Sequence, residues 1–197
     1  MGHMKIQEAK ERYKPEKVKY LFISEASPVE ESFRHFYYAY TEGKDDLFLN
    51  MMMALYPVTY KSYLPIKEFK KSKKTFLEMF RDSGCIIIDS VPEPFPRDIN
   101  RSLRINIIRE NRGNLLKEVK EICDEQTKVI LISATVYAAC NDFLIENKVN
   151  VVNLNSVSFP DRWHKDNFQR QMSELLNEIG WFKKMKTGNK SVTVIKK

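Results

Sequence analysis

The stretch Val18–Tyr38, VKYLFISEASPVEESFRHFYY, begins as a buried strand and runs straight into an acid, two small residues and a proline. Val18 to Ser24 is apolar and rich in strand formers without clean alternation, which suits a central strand covered on both faces. Ser27, Pro28 and Glu30 then spell a helix start. The Ser27 hydroxyl is expected to accept from a free first-turn amide, Pro28 fits the first helical position, and Glu30 completes a capping box. Neither device needs Glu25. It stands at the carboxyl end of a strand, where open α/β sheets place their ligand-binding loops.

Three further runs have the same character: CIIIDS at 85–90, KVILIS at 128–133 and VNVVNL at 149–154. The segments between them have helical spacing. Residues 67–82 place Phe69, Phe76, Met79 and Phe80 near one side, and Gly84 supplies a stop before the second strand. Residues 99–122 predict one or two helices interrupted near Gly113, residues 135–147 a helix between the third and fourth strands, and residues 164–179 a final long helix. Short strands alternating with helical crossovers predict a three-layer α/β/α sandwich around a central, mostly parallel four-stranded sheet.

Residues 41–65 break this rhythm. They are rich in aromatics and methionine and punctuated by Pro57 and Pro65, and read as an irregular insertion that wraps the body or rims a cleft. Within it NMMMALY suits core packing, because methionine fills uneven spaces. Residues 5–185 read as one domain, followed by a basic tail or edge strand at 186–197.

The chain has 197 residues, 43% hydrophobic and 30% charged, which suits a globular domain with a substantial core. Thirty-three basic against 26 acidic residues leave a formal charge of +7, which attracts polyanions without choosing among them. Cys85, Cys123 and Cys140 are widely spaced and read as reduced structural thiols. There is no secretory leader, and no apolar run nears the roughly 20 residues of a membrane helix. These features predict a cytoplasmic protein that does not engage a membrane. Gly2, His3 and Met4 have the character of a vector-derived scar, so His35 and His164 are the histidines considered for a site.

Candidate chemistry gathers at strand ends. Asp89 and Glu93, in IIIDSVPEPFP, join Glu25 at one edge if their strands are parallel neighbours, and Pro92, Pro94 and Pro96 stiffen that loop. Asn155, Ser156 and Ser158 follow the fourth run with short polar groups. Arg162, His164 and Lys165 supply phosphate-facing donors around the next helix start, where Trp163 either covers apolar surface or stacks on a ligand. In FRHFYY, Phe36 and Tyr37 are either core rings or a stacking surface for a base. No GxxxxGK, HExxH or paired CxxC is present.

Together, FISEASP followed by RHFYY, then IIIDSVPEPFP, VILISATVYAA and LNSVSFPDRWHKDNF, resemble the uracil-DNA glycosylase-like superfamily over residues 18–178. The resemblance implies the layered sheet and a base-recognising cleft. Ser24, Glu25, Ala26 and Ser27 correspond to the family's Gly-Glu-Ala-Pro-like opening, with Pro28 one place later. In several branches the position matching Ala26 bears Asp or Asn and helps position water, which Ala26 cannot do. The resemblance also implies that Phe36 or Tyr37 stacks on the base and that Asp89 contacts it. The late loop, often His-Pro-Ser-like, is Asn155-Ser156-Val157-Ser158 here, without the histidine that stabilises the departing base. Branches with an iron-sulfur cluster use four placed cysteines, which the three here do not match, so no cofactor and no metal is expected.

The implied activity is a DNA glycosylase that hydrolyses the N-glycosidic bond of a damaged or deaminated base. Glu25 and Asp89 are then the catalytic candidates, Ala26, Phe36, Tyr37, Asn155, Ser156 and Ser158 the base-binding set, and Arg162, His164 and Lys165 the phosphate-binding set. The expected partner is nucleic acid, in the form of DNA, and the expected state a monomer. The alternative is a non-catalytic nucleic-acid or nucleotide-binding protein of the same fold.

Overall fold

A computed structural model describes residues 2–26, 35–39, 45–62, 72–96 and 98–183. Strand β1 (Tyr20–Ala26) lies between β2 (Cys85–Val91) and β3 (Lys128–Leu131), and both pairings are parallel. The register sets Ser24 beside Asp89 and Ala26 beside Val91, so the ends of β1 and β2 open on the same edge of the sheet. Helices surround these strands: α1 (Gly2–Arg12), α2 (Asp46–Leu55), α3 (Pro57–Ser62), α4 (Lys73–Asp82), α5 (Arg101–Ile122), α6 (Ala134–Glu146) and α7 (Lys165–Glu178). Helix α5 packs on β2, and α6 on β1 and β3, with a broad contact between the two helices. Helix α4 also packs on β2, and α2 packs against α7.

Leu21, Phe22 and Ile23 are fully buried, as expected for a strand with protein on both faces. Phe22 meets Phe80 of α4 with ring centroids 5.8 Å apart. Gly84, at φ 79°, makes the turn into β2; a Cβ there would stand 3.0 Å from the Lys17 carbonyl oxygen and closer still to the Lys19 side chain. Only glycine meets both demands cheaply.

Among the described residues the sheet has three strands rather than the expected four. The fourth run, 149–154, does approach β3 in parallel, but it holds only the isolated bridge Val129 to Val151, followed by Ile132 to Val157. Between those bridges one chain advances three residues and the other six. The surplus is accommodated by Asn153, whose side chain replaces a backbone ladder: its Oδ1 accepts from the Leu131 amide at 2.7 Å and its Nδ2 donates to the Leu131 carbonyl at 3.0 Å. The β3 edge is satisfied without a continuous strand.

The opposite edge uses the same device. The Tyr37 hydroxyl accepts from the Ile87 amide at 2.8 Å and donates to the Ile87 carbonyl at 3.0 Å, closing a pair turned away from β1. This protects an edge strand that backbone pairing leaves open. It also fixes residues 35–37 beside the sheet end.

Two further expectations change. Helix α5 runs unbroken through Gly113, where a Cβ would meet nothing within 4 Å; glycine on an open face weakens a helix without stopping it. The described part of 41–65 is largely helical, as α2 and α3, with Met51 and Met52 fully buried. The helix start expected at 27–30, Phe69 and the tail at 186–197 lie outside the described residues. Among the described residues, no helix is long and apolar enough to cross a membrane.

Candidate functional site

The side chains of β1 alternate, and that parity sorts its polar end. Ser24 and Ala26 fall on the side of Phe22 and α4, while Glu25 falls on the side of α5 and α6. On the first side the Ser24 hydroxyl donates to Asp89 Oδ1 at 2.8 Å, across the strand register. The two residues line a cavity of about 300 Å³ together with Ala26, Phe36, Tyr37 and Phe159. His35, Asp45, Asp46 and Leu47 close its other side.

A buried ion pair frames this cavity. Lys73 Nζ, at the start of α4, lies 2.7 Å from Asp45 Oδ2, with side-chain exposures of 4% and 8%. Asp45 Oδ1 accepts from the Phe48 amide at 3.0 Å, capping α2. Lys73 Nζ also donates to the His35 carbonyl at 3.2 Å and lies 4.6 Å from the Phe48 ring centroid. One ammonium therefore ties together α4, the start of α2 and the segment that carries His35, Phe36 and Tyr37. Burial pushes this ammonium below its ordinary pKa, and Asp45 pulls it back up.

Phe36 and Tyr37 are core rings whose surfaces also face the cavity. Phe36 packs edge-on against Tyr37 and Phe48, each with centroids 5.2 Å apart. Burial drives the Tyr37 phenol far above its ordinary pKa, so it remains a hydroxyl. His35 is 6% exposed, and burial lowers its pKa; Asp89 and Asp45 oppose that shift, while Lys73 and Lys10 reinforce it.

Glu25 belongs to the other side. Its Oε1 accepts from the Ser133 hydroxyl, its Oε2 lies 3.4 Å from Arg104 Nη1, and its backbone carbonyl accepts from the Ser90 hydroxyl. Ser133 has φ 94°, a conformation costing a non-glycine residue about 1–3 kcal/mol. Three bonds hold it there: its amide to the Val157 carbonyl at 2.8 Å, its hydroxyl accepting from the Thr135 amide at 3.0 Å, and that same hydroxyl donating to Glu25. Glu25 thus clamps the ends of β1 and β3 to α5, and it does not line the cavity.

The late loop contributes differently from the sequence expectation. Asn155, Ser156 and Ser158 do not line the cavity; Phe159 does. The Ser158 amide is bound to Gln171 Oε1 at 2.8 Å. Arg162 and Lys165 line a neighbouring depression of about 520 Å³, which shares Asp46 with the cavity. His164 stands apart, exposed and bound through Nδ1 to Asp161 at 2.8 Å. Burial raises Asp161, but its bonds from the His164 ring and the Trp163 and His164 amides outweigh this and leave its pKa lowered. Glu93 is exposed.

The structure thus brings Ala26, Phe36, Tyr37 and Asp89 together and adds Ser24, His35, Asp46 and Phe159. Of these additions only Ser24 had a readable signal, as the residue sharing strand parity with Ala26. Among the described residues no three His, Cys, Asp or Glu side chains are grouped to hold a metal ion. The three cysteines are free, and burial pushes Cys123 up to about 11 and Cys140 up to about 12, which keeps both as thiols near neutral pH. No family model, curated protein or solved structure matches the chain.

Proposed function

We propose that the chain takes a nucleobase of DNA into the cavity at the sheet end and hydrolyses its N-glycosidic bond. The observation that carries this reading is Asp89, fixed by Ser24 at the end of β2 inside a cavity walled by Phe36, Tyr37 and Phe159. A carboxylate in that place accepts from the N–H or amino group of a heterocycle, and the rings cover its apolar faces. The neighbouring depression, with Arg162 and Lys165, supplies cations for the phosphates on either side of a flipped nucleotide.

In this reading two of the three acids of the cavity divide the work, since Asp45 is paired with Lys73. Asp89 holds the base, and Asp46, exposed in the first turn of α2, orients the water. Water adds its oxygen to the anomeric carbon, the carbon–nitrogen bond breaks toward the base, and the proton lost by water ends on the base nitrogen. A carboxylate beside the sugar also stabilises its developing positive charge. Glu25 acts only through the geometry of the strand end.

The test is incubation of labelled duplexes bearing uracil, hypoxanthine or a mismatch, followed by strand cleavage at abasic sites. The expected result is abasic product with the native chain, and a loss of about a hundredfold or more in Asp89→Ala and Asp46→Asn. Absence of product from all three duplexes would remove hydrolysis. Salt-sensitive binding to the same duplexes without product would favour recognition alone. That second reading draws on Ala26, which brings only a methyl group to the cavity, and on Glu25, whose carboxylate is already engaged by Ser133 and Arg104.

A further inference from the structure

The depression beside the base cavity offers more than its two cations. Helix α2 lines it with Leu49 and Met53, one turn apart, α3 with Tyr60, and the late loop with Pro160. These four side chains give an apolar lining to a space of about 520 Å³, within the range of about 300–1,000 Å³ that small-molecule pockets occupy. A phosphate is held by donors at its oxygens and covers no such lining. Leu49, Met53 and Tyr60 are half-buried, whereas Phe48, Met51 and Met52 of the same stretch lie in the core.

The space is braced on both sides. Gln169 of α7 donates through Nε2 to the Asn50 carbonyl at 2.8 Å, and Asn50 Nδ2 donates to the Asp46 carbonyl at 2.8 Å, so side chains tie α7 to α2 across it. At the α7 end Asp161 is engaged by the His164 ring and by the Trp163 and His164 amides. Arg162 and Lys165 line the same space and form no ion pair among the described residues. Cations beside an uncovered apolar lining fit an occupant that carries both an anion and a flat ring.

We propose that this depression is a subsite for the base next to the one in the sheet-end cavity, with Arg162 and Lys165 on the phosphate between the two nucleotides. The inference rests on the base-cavity reading and extends it, because Asp46 lines both spaces and a strand that places its sugar there reaches from one into the other. The neighbouring base packs on Leu49, Met53 and Tyr60, which accept a ring without choosing among bases. The unit recognised is two consecutive unstacked nucleotides, and a paired neighbour must leave its stack to enter.

The test uses the full chain and fluorescently labelled single strands, read by polarisation. Each strand carries one 2′-fluorinated deoxyuridine or deoxyinosine, whose glycosidic bond resists hydrolysis. An abasic spacer then replaces, in turn, the base on its 5′ side, the base on its 3′ side, or the target base itself. Removing one of the two neighbours should weaken binding by about tenfold, the worth of one base stacked on protein, while removing the other should change little. Met53→Glu, which brings a carboxylate into the apolar lining, should lose the dependence on that neighbour.

Equal binding of the intact strand and of both strands lacking a neighbour would overturn the subsite and leave the base cavity standing. Failure to bind, or equal binding with and without the target base for both uracil and hypoxanthine, would overturn the cavity reading, and the inference with it. If the native chain self-associates, and Met53→Glu disperses it without altering the response to the neighbouring base, the depression belongs to a second copy and the subsite is overturned. Should Met53→Glu fail to fold, the spacer series on the native chain decides the question.

Discussion

The two faces of the sheet at the end of β1 carry the same kind of residue and use it in opposite ways. On the α5 and α6 side Glu25 is consumed by structure: Ser133 and Arg104 bind its carboxylate, and a serine with φ 94° depends on the arrangement. On the α2 and α4 side Asp89 accepts from the Ser24 hydroxyl and lines a cavity. Strand parity separates two acids on adjacent strands, and the helices covering each face decide which becomes a clamp. An acid at a strand end thus has a role only after the face it occupies is known.

The largest effect should come from breaking the frame of the cavity face. Lys73→Met leaves Asp45 buried beside an apolar side chain, and loss of one partner of such a pair costs about 3–5 kcal/mol. The urea midpoint should fall accordingly. Replacing both partners at once, with Asp45→Asn added, should recover part of the loss, because no uncompensated charge remains. If the single and double variants were equally destabilised, the uncompensated charge of Asp45 would not be the source of the loss, since asparagine keeps the α2 cap.

The comparison itself is tested by a crossed pair of variants. Glu25→Ala strands the Ser133 hydroxyl and Arg104, and should destabilise by about 1–3 kcal/mol while leaving affinity for a base unchanged in the folded protein. Asp89→Ala removes the part-buried bond from Ser24, and should abolish base binding while the variant still folds. Stability is read from denaturant titration and affinity from calorimetry. Both variants losing affinity with intact stability would place Glu25 in the site and dissolve the distinction between the faces.

A pH series sharpens the cavity side further. Burial lowers the pKa of His35 in the folded chain, so the unfolded chain binds the proton first. The neutral ring's contribution is complete above the unfolded value, about 6.5, and is lost as pH falls from there through the folded value. His35→Gln has no such term. The difference in unfolding free energy between native and variant should therefore shift in favour of the variant between about pH 7.5 and pH 5. An unchanged difference would mean that His35 meets solvent more freely than its burial indicates.

Much of the fold was legible because its signals are local. The runs at 85–90 and 128–133 are apolar and flanked by helical spacing, and they became β2 and β3 with small shifts of boundary. The run at 149–154 has the same β-branched character, yet Asn153 turns its amide onto Leu131 and stands in for the ladder. Side-chain mimicry of a backbone depends on where the neighbouring strand lies, which no pattern within six residues contains. The site was legible in part for the same reason. Asp89, Ala26, Phe36 and Tyr37 sit where strand ends and a following aromatic segment lead, but Glu25 could be sorted from Asp89 only by knowing which helices cover each face. His35 and Asp45 enter through the Lys73 network, a contact between residues far apart in the chain, and Asp46 follows Asp45.

The smallest predicted effect tests whether the two faces are energetically independent. Gly113 lies inside α5, with open space where its Cβ would be. Alanine there keeps the helical conformation and restricts the unfolded chain, so Gly113→Ala should stabilise by about 0.4–1 kcal/mol. Arg104, which holds Glu25, is carried by the same helix. If the Glu25 side is only a scaffold, stiffening α5 should raise the unfolding midpoint and leave base affinity and the pH profile of His35 where they were. A change in affinity that accompanied the gain in stability would show that the clamp transmits to the cavity, through Ser90 and the Glu25 carbonyl it binds across the sheet.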